Sequence, residues 1–277
     1  MYKVSLILTT YNSAENLPKT LASIDEQDYP DIEVVIKDGG STDGTLDIIE
    51  EYAKKHADVT EGSQILDKTP GKVQMKRSVV TTSCPDTGIY DAMNQGYKLS
   101  TGDIIAFFND RFMVKDAVSK LVSAITDADT EAKQVAEPNE KFIGVHADLV
   151  YANGDEIVRY WHMGPQRSIR TGWMPGHPTL FLKREVYEKY GLYDTSYKIA
   201  ADYEFMVRFL KDRENRLAYV PETLISMYYG GTSNSTLGSY IESLIEGNRA
   251  LRTNHVHPAF ITDCIRTLRV LLQFLKR

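Results

Sequence analysis

The first half of the chain alternates between short apolar runs and stretches with helical periodicity. The runs cover 3–10, 32–38 and 103–108, and each is bounded by polar residues, which is typical of buried strands. Between and after them, apolar residues recur at intervals of three and four, as in amphipathic helices. Strands that alternate with helices predict a mostly parallel sheet with right-handed crossovers. We therefore expect an α/β fold.

Composition and charge narrow the classes of protein. The 277 residues carry a formal net charge of −6, which argues against a general nucleic-acid binder because no broad excess of Lys and Arg is available for phosphates. Cys84 and Cys264 lie far apart and outside any CxxC pattern, so they predict no zinc site and suit a reducing compartment. No run approaches the roughly 20 apolar residues of a membrane span. We expect a cytoplasmic protein.

Polar side chains follow all three predicted strands, at 9–12, 38–43 and 109–111. Open α/β sheets bind ligands at the carboxyl ends of their strands, so we expect these segments to form one site. There, Tyr11 could cover a base, and Asp38 could accept a hydrogen bond from a base N–H or a ribose hydroxyl. The chain lacks a Gly-x-Gly-x-x-Gly motif after the first strand, which argues against a dinucleotide-binding fold.

Four segments, in this order, resemble the successive signatures of family 2 glycosyltransferases. They are VSLILTTYNSAENLPKTLASI, IEVVIKDGGSTDGT, GIYDAMNQGYKLSTGDIIAFFND and GLYDTSYKIAADYEFMVRF, and the resemblance covers 1–230. It implies a GT-A fold, with a Rossmann-like, mostly parallel sheet flanked by helices. It also implies an inverting transfer from a nucleotide-diphosphate sugar, UDP-linked in our expectation. The transferred group would be a hexose or N-acetylhexosamine, and the acceptor a saccharide or lipid-linked hydroxyl in cell-surface polysaccharide biosynthesis.

The resemblance also divides the chain and assigns the donor site. We expect a GT-A domain over 1–230, with a nucleotide-binding half at 1–112 and an acceptor half at 113–230, followed by a helical extension at 231–277. Around the nucleotide the resemblance places Thr9, Tyr11 and Asp38, and bordering the donor it places Asp91 and Asn94.

The segment AFFNDRF, residues 106–112, bears on the metal chemistry. The resemblance places Asp110 near the metal-binding position, where Mn²⁺ or Mg²⁺ would stabilise the leaving diphosphate. The family usually has paired acids here, but Arg111 and Phe112 occupy their places. Asp110 therefore either binds a cation weakly together with the donor or belongs to a turn. Arg111 either contacts phosphate as a bidentate guanidinium or caps that turn, and Asn109 is counted with the donor site.

The acceptor side is expected in the second half of the chain. The resemblance places Asp202 of AADYE at the catalytic base. The reaction needs a carboxylate there, near the acceptor hydroxyl, to take its proton. Capping of the following helix is the structural alternative for Asp202. Glu204 is the second candidate for the catalytic base. Trp173 and His177 fall in a stretch that borders the active site in that family, where His177 is either a ligand of the diphosphate or metal or a structural residue.

Residues 257–277 predict an amphipathic C-terminal helix. Four basic residues of this segment oppose a single acid, Asp263. Such a helix docks on its own domain, joins a second subunit, or lies on an anionic membrane at the inner face of the cell membrane. Its apolar stripe consists of Ile261, Ile265, Leu268, Leu272 and Leu275.

Two other functions fit part of the sequence. The missing acid pair would suit a nucleotide-sugar-binding protein with weakened catalysis. A nucleotidyltransferase is also an α/β protein with its nucleotide at the strand ends, but a glycine-rich and basic loop after the first strand is lacking here. Asp202 in its motif favours an active transferase over the inert binding protein.

Overall fold

The computed structural model describes residues 1–57, 76–134, 140–229 and 237–273. The chain divides into two compact units, Met1–Ser119 and Lys120–Arg277. No helix in the described ranges combines the length and apolar character that crossing a membrane requires. Cys84 and Cys264 form no disulfide.

Among the described residues of the first unit, four parallel strands form a sheet and a two-residue strand follows them. They are β1 (Val4–Thr10), β2 (Asp31–Asp38), β3 (Lys76–Ser83), β4 (Ile104–Phe107) and the short β5 (Arg111–Phe112). The order across the parallel part is β3-β2-β1-β4. The strands expected at 3–10, 32–38 and 103–108 are confirmed as β1, β2 and β4. Strand β3 was not predicted, because its segment has only two apolar residues, Val79 and Val80.

Helices connect these strands and bury their apolar faces against the sheet. They are α1 (Leu17–Asp25), α2 (Thr45–Ala57) and α3 (Ile89–Leu99), while α4 (Ala117–Gln134) carries the chain into the second unit. Leu17, Leu21 and Ile24 form the buried stripe of α1, as their spacing predicts. Apolar residues of β2 are 0% exposed, because both faces of a parallel sheet are covered. The predicted α/β architecture is confirmed.

The second unit is organised around one long strand. Its strands are β6 (Lys141–Asn153), β7 (Glu156–Trp161), β8 (Phe181–Lys183) and β9 (Asn215–Tyr228). The long β6 pairs antiparallel with β7 and β8 and parallel with β9. The sequence YANGDEIVRYW, residues 151–161, has Asn-Gly between two strand-like runs and predicts a hairpin, which is the pair β6–β7. Gly154 in its turn takes the positive φ of 60° that glycine tolerates.

In the described part of this unit, four further helices and two short 3-10 helices follow. They are α5 (Arg184–Tyr190), α6 (Ala201–Leu210), α7 (Leu237–Thr253), α8 (Ala259–Gln273) and the 3-10 helices Ile169–Thr171 and His177–Thr179. The predicted C-terminal helix is confirmed as α8. Residues 274–277, including Leu275, lie outside the described residues, as does the side chain of Leu272.

Candidate active site

The strand ends of the first unit lie side by side. In the parallel register, Thr10 pairs with Asp38 and Asp38 pairs with Ser83. Asn109, two residues beyond β4, accepts a hydrogen bond from the backbone N–H of Thr9 at 2.9 Å and donates one to the Thr9 hydroxyl at 3.0 Å. The structure thus brings together the polar segments that follow the three predicted strands.

Asp38 is the centre of this edge and is only 1% exposed. Its Oδ1 accepts hydrogen bonds from Thr10 Oγ1 at 3.0 Å and Ser41 Oγ at 2.5 Å. Its Oδ2 accepts from the backbone N–H of Gly40 and Ser41 and from Ser83 Oγ, at 2.8–2.9 Å. Burial alone would raise the pKa of Asp38, but these hydrogen bonds outweigh it and hold the pKa below its usual value. Asp38 therefore fixes the turn after β2.

Tyr11 and Asp86 meet on either side of Gly39. A Cβ atom at Gly39 would lie 2.9 Å from Asp86 Oδ2 and 3.4 Å from the Tyr11 ring. The Tyr11 side chain is 67% exposed, so its ring is available to a ligand. Lys37, which is 0% exposed, holds Asp86 through Nζ at 2.9 Å. Tyr11 and Asp86 thus place one aromatic ring and one carboxylate beside Gly39.

Asp91 closes the turn that leads into α3. Its Oδ2 accepts hydrogen bonds from the Thr87 backbone N–H at 3.0 Å, the Thr87 hydroxyl at 3.1 Å and Gln95 Nε2 at 3.1 Å. The bond from the Thr87 backbone is the main reason that the pKa of Asp91 lies below its usual value. Asn94 lies in the same helix and is half-buried.

Asp110 lies between β4 and β5, and its side chain is buried, at 8% exposure. Arg111, the first residue of β5, is half-buried. Within the ranges that the structure describes, no group of three or more His, Cys, Asp and Glu side chains could hold a metal ion. A cation at Asp110 would therefore depend on oxygen ligands from a bound phosphate or from water.

In the second unit, Asp202 borders a cavity of about 210 Å³. Asp202 lies in the first turn of α6, at the end of the helix that carries the partial positive charge of the dipole. Most of the wall is apolar, with charged groups concentrated at a few positions. The lining includes Tyr151, Arg159, Trp161, Met174, His177, Leu244, Arg266 and Val270.

His177 lies on the same cavity wall. Its Nε2 forms a hydrogen bond of 2.8 Å with the Tyr193 hydroxyl. Burial lowers the pKa of His177, and the nearby Asp202 carboxylate opposes that effect in part. The imidazole is therefore neutral at pH 7. Its role as a metal ligand stays a prediction.

Two predicted acceptor-side residues point elsewhere. Trp173 is 3% exposed and donates its indole N–H to the backbone oxygen of Met163 at 3.0 Å. Glu204 is 4% exposed and accepts three hydrogen bonds from Arg208, the shortest at 2.6 Å, and one from Asn254 at 3.0 Å. Neither residue lines the cavity. These contacts give both side chains structural roles.

Sequence reasoning missed three features of these surfaces. The Lys37–Asp86 pair joins residues 49 positions apart, so no local pattern predicts it. Arg159 lies over the Tyr151 ring at 3.8 Å, across the β6–β7 hairpin that was predicted without its cross-strand pairs. The carboxylate of Glu246, on α7, accepts a hydrogen bond from the backbone N–H of Ala200, two residues before Asp202, and no local pattern predicts that contact.

Comparison with known proteins gives consistent results. The model of the family described as glycosyl transferase family 2 matches residues 5–191. A PGL/p-HBAD biosynthesis glycosyltransferase of Mycobacterium tuberculosis is 30% identical over 240 residues, covering 83% of this chain and 79% of the relative.

Solved structures support the same fold. S. aureus TarS in complex with UDP-GlcNAc has a TM-score of 0.60 and 18% identity, over 99% of this chain and 71% of that one. The mannosyltransferase PcManGT from Pyrobaculum calidifontis, in complex with GDP-Man and Mn²⁺, has a TM-score of 0.57 and 18% identity, over 98% and 75%. Against a longer TarS chain, this protein spans 44% of the length. The fold is that of the GT-A glycosyltransferases, and the chain belongs to glycosyl transferase family 2.

Proposed function

We propose that the protein transfers a hexose or N-acetylhexosamine, with inversion, from a nucleotide-diphosphate sugar to an acceptor hydroxyl. The observation that carries the proposal is Asp202, a carboxylate at a helix N-terminus on the wall of a cavity. In the reaction, Asp202 takes the proton of the acceptor hydroxyl. The acceptor oxygen then forms a bond to the anomeric carbon, the bond from that carbon to the diphosphate breaks, and the nucleoside diphosphate leaves.

The electrostatics around Asp202 suit a general base. Asp202 lies in the first turn of α6, where the helix dipole carries partial positive charge. His177 is kept neutral by burial and therefore does not compete as an ion-pair partner at pH 7. Glu204 is engaged by Arg208 and Asn254, which leaves Asp202 as the better candidate.

The cavity lining favours an acceptor with an apolar portion. Met174, Leu244 and Val270 surround the space beside Asp202, and Trp161 and Tyr151 add aromatic surface. Such walls hold a lipid or aromatic group better than a sugar alone, because burying unpaired hydroxyls is costly. We therefore favour the lipid-linked acceptor over a free saccharide. The glycosyltransferase relative named for PGL/p-HBAD biosynthesis agrees with this choice.

The donor is assigned to the first unit. Tyr11 offers an exposed ring for the base, and the Gly39–Asp86 surface beside it offers a hydrogen-bond acceptor. UDP is the preferred nucleotide, supported by the solved TarS complexes with UDP and UDP-GlcNAc. A divalent cation at Asp110, when bound, would neutralise charge on the leaving diphosphate. Arg111 supplies further positive charge next to it.

Incubation with a panel of nucleotide sugars tests this function against its two rivals. A transferase hydrolyses its correct donor slowly without acceptor and forms a glycosylated product when a lipid-linked or saccharide acceptor is added. A binding protein without catalysis shows a thermal shift with the donor but releases no nucleoside diphosphate. A nucleotidyltransferase instead joins a sugar phosphate to a nucleoside triphosphate, and the triphosphate releases pyrophosphate. Release of nucleoside diphosphate with transfer to an acceptor is the expected result.

A further inference from the structure

Helix α8 docks with its polar side inward and presents apolar residues to solvent. Thr262, Asp263 and Arg266 are 1%, 3% and 8% exposed. On the opposite side, four large apolar residues are 37–69% exposed, and we call them the α8 stripe. They are Phe260, Ile261, Ile265 and Leu268. This polarity is the reverse of that expected for a helix packed only for stability, in which the apolar stripe faces the core.

The inward polar side chains are specifically accommodated. Arg266 forms an ion pair with Asp263 at 2.8 Å and donates a hydrogen bond to the Ser243 backbone oxygen at 3.3 Å. Its guanidinium also lies over the Tyr203 ring, 4.5 Å from the centroid. A Cβ at Gly247 would lie 2.5 Å from this guanidinium, so the glycine makes room for it. These contacts fix α8 in the orientation that exposes its stripe.

Helix α7 extends the exposed apolar surface. Ile241 and Ile245 lie one turn apart on α7 and are 52% and 65% exposed. Because α7 and α8 pack against each other, the unit carries exposed apolar residues on two neighbouring helices. Scattered exposed apolar residues are ordinary, but such a concentration marks an interaction surface.

A basic cavity of about 710 Å³ adjoins α8. Two carboxylates also line it, but both are engaged: Glu140 lies 3.6 Å from Arg216, and Asp212 accepts a hydrogen bond from the Tyr190 hydroxyl. Five basic residues against two carboxylates give the lining a local excess of positive charge, in a chain whose net charge is −6. The five basic residues of the lining are Arg167, Arg170, Lys211, Arg213 and Arg216.

The cavity and α8 are joined at two points. Asn254, His255 and Val256 line the cavity and form the turn from which α8 starts three residues later. On another wall, the 3-10 helix Ile169–Thr171 binds α8 through a 2.8 Å hydrogen bond from Arg269 Nε to the Thr171 backbone oxygen. The positive charge and the apolar stripe therefore belong to one continuous part of the second unit.

We propose that this surface binds an anionic phospholipid bilayer. The α8 stripe enters the boundary between headgroups and acyl chains, and the basic cavity receives lipid phosphate groups. Apolar insertion combined with Lys and Arg contacts is how amphipathic helices bind anionic membranes. A bilayer explains both the exposed stripe and the basic cavity, whereas a second copy of the chain would account for the stripe alone. This inference requires neither donor nor acceptor and so stands apart from the proposed reaction.

Vesicle flotation of the full chain, without donor or acceptor, tests the proposal. The vesicles contain phosphatidylcholine alone or phosphatidylcholine mixed with phosphatidylglycerol. The unmodified chain is expected to float with the mixed vesicles and to bind them less tightly as salt rises. The stripe variant Ile261→Gln/Leu268→Gln should lose about tenfold or more of its affinity for them. The cavity variant Arg167→Gln/Arg213→Gln should lose about tenfold or more through weaker attraction to the anionic lipid.

Two matched variants control for general surface effects, and circular dichroism checks that every variant is folded. Ile157→Gln/Val158→Gln replaces an apolar pair on β7 that is 39% and 44% exposed, and Lys19→Gln/Lys98→Gln removes two exposed charges from the first unit. Neither should change vesicle binding. The proposal fails if the chain ignores phosphatidylglycerol or if the control pairs weaken binding as much as the test pairs. It also fails if light scattering shows a dimer that the stripe variant dissociates while vesicles remain unbound.

Discussion

The carboxylate of Glu246 accepts a hydrogen bond of 2.9 Å from the backbone N–H of Ala200, two residues before Asp202. The same carboxylate accepts hydrogen bonds from the N–H groups of Lys198 at 2.8 Å and Ile199 at 3.0 Å. Glu246 lies on α7 and is 7% exposed. One side chain of α7 thereby fixes the backbone from which α6 starts, and with it the place of the proposed base.

Glu246→Gln should therefore act on turnover through Asp202. The amide keeps the size of the side chain but replaces one acceptor oxygen with a donor facing backbone N–H groups. We expect kcat to fall about tenfold, because small displacements of a catalytic group are costly, while the donor KM is unchanged. Glu242→Gln, on the same helix, is the matched control, since the Glu242 side chain is 41% exposed and pairs with the exposed Lys198 Nζ at 3.4 Å. Equal kcat values for the two variants would remove Glu246 from this positioning role.

Asp202→Asn tests the base directly. The variant should retain donor binding and lose on the order of 10²–10⁴ in turnover. Glu204→Gln is the comparison variant, because it also replaces a carboxylate of α6 with an amide. Glu204 is bound by Arg208 and does not line the cavity. We expect Glu204→Gln to show a clear decrease in Tm and only a small decrease in kcat. Near-normal turnover of Asp202→Asn would mean that another group accepts the proton.

The nucleotide site is tested with Tyr11→Ala and Asp38→Ala in calorimetry with nucleoside diphosphates. Tyr11 is 67% exposed, so its loss should leave Tm unchanged and weaken binding by about 1–3 kcal/mol through lost stacking. Asp38 organises the turn after β2, so Asp38→Ala should lower both Tm and affinity. Tyr160→Ala, 44% exposed on β7, is the aromatic control. Unchanged affinity in both test variants would place the nucleotide elsewhere.

Elements that depend on residues close together in the chain were predicted from the sequence. The strands β1, β2 and β4 were visible because a parallel strand buried on both faces is a continuous apolar run. The hairpin β6–β7 was visible because Asn-Gly marks a tight turn. Strand β3 was missed because its polar residues become strand only through pairing with β2.

Side-chain geometry at the site depended on contacts distant in the chain. The sequence placed Asp38 at a strand end, but hydrogen bonds from Thr10 and Ser83 turn its carboxylate into the protein. The pattern predicted that Ile261, Ile265 and Leu268 share one side of α8, yet the pattern alone does not say which side faces solvent. The buried Arg266–Asp263 pair decides that orientation.

Asp110 and Arg111 test the cation. With one protein carboxylate, metal should bind poorly until the donor arrives, so metal and donor should bind cooperatively. We expect Asp110→Asn to lower turnover in Mn²⁺ or Mg²⁺, and Arg111→Ala to make activity more dependent on the metal. Turnover is measured with each ion and after exhaustive chelation. If chelation leaves the parent rate untouched and Asp110→Asn is silent, the cation has no role at this strand end. If Arg111→Ala is silent as well, the Asn-Asp-Arg segment is only a turn.

His146 should make folding stability depend on pH. This side chain is 0% exposed and packs against Tyr219 at 5.0 Å and Trp173 at 5.2 Å between ring centroids. Neither of its ring nitrogens has a hydrogen-bond partner among the residues that the structure describes. Burial lowers the pKa of His146 to about 4, against a partial opposing effect of Asp148. The folded protein therefore holds a neutral imidazole at pH values where the unfolded chain is already protonated.

The sign of the effect follows from proton uptake. Between the ordinary histidine pKa of about 6.5 and the folded value of about 4, the unfolded chain binds a proton that the folded chain does not. The free energy of unfolding should thus fall as pH falls through this window, by about 3 kcal/mol in total from this residue. His146→Leu should flatten the slope in urea titrations at stepped pH, leaving the contributions of His56 and His177, whose pKa values burial also lowers. His255→Asn replaces an exposed histidine as the control. Parallel pH profiles for His146→Leu and the parent would show that the acid sensitivity arises elsewhere.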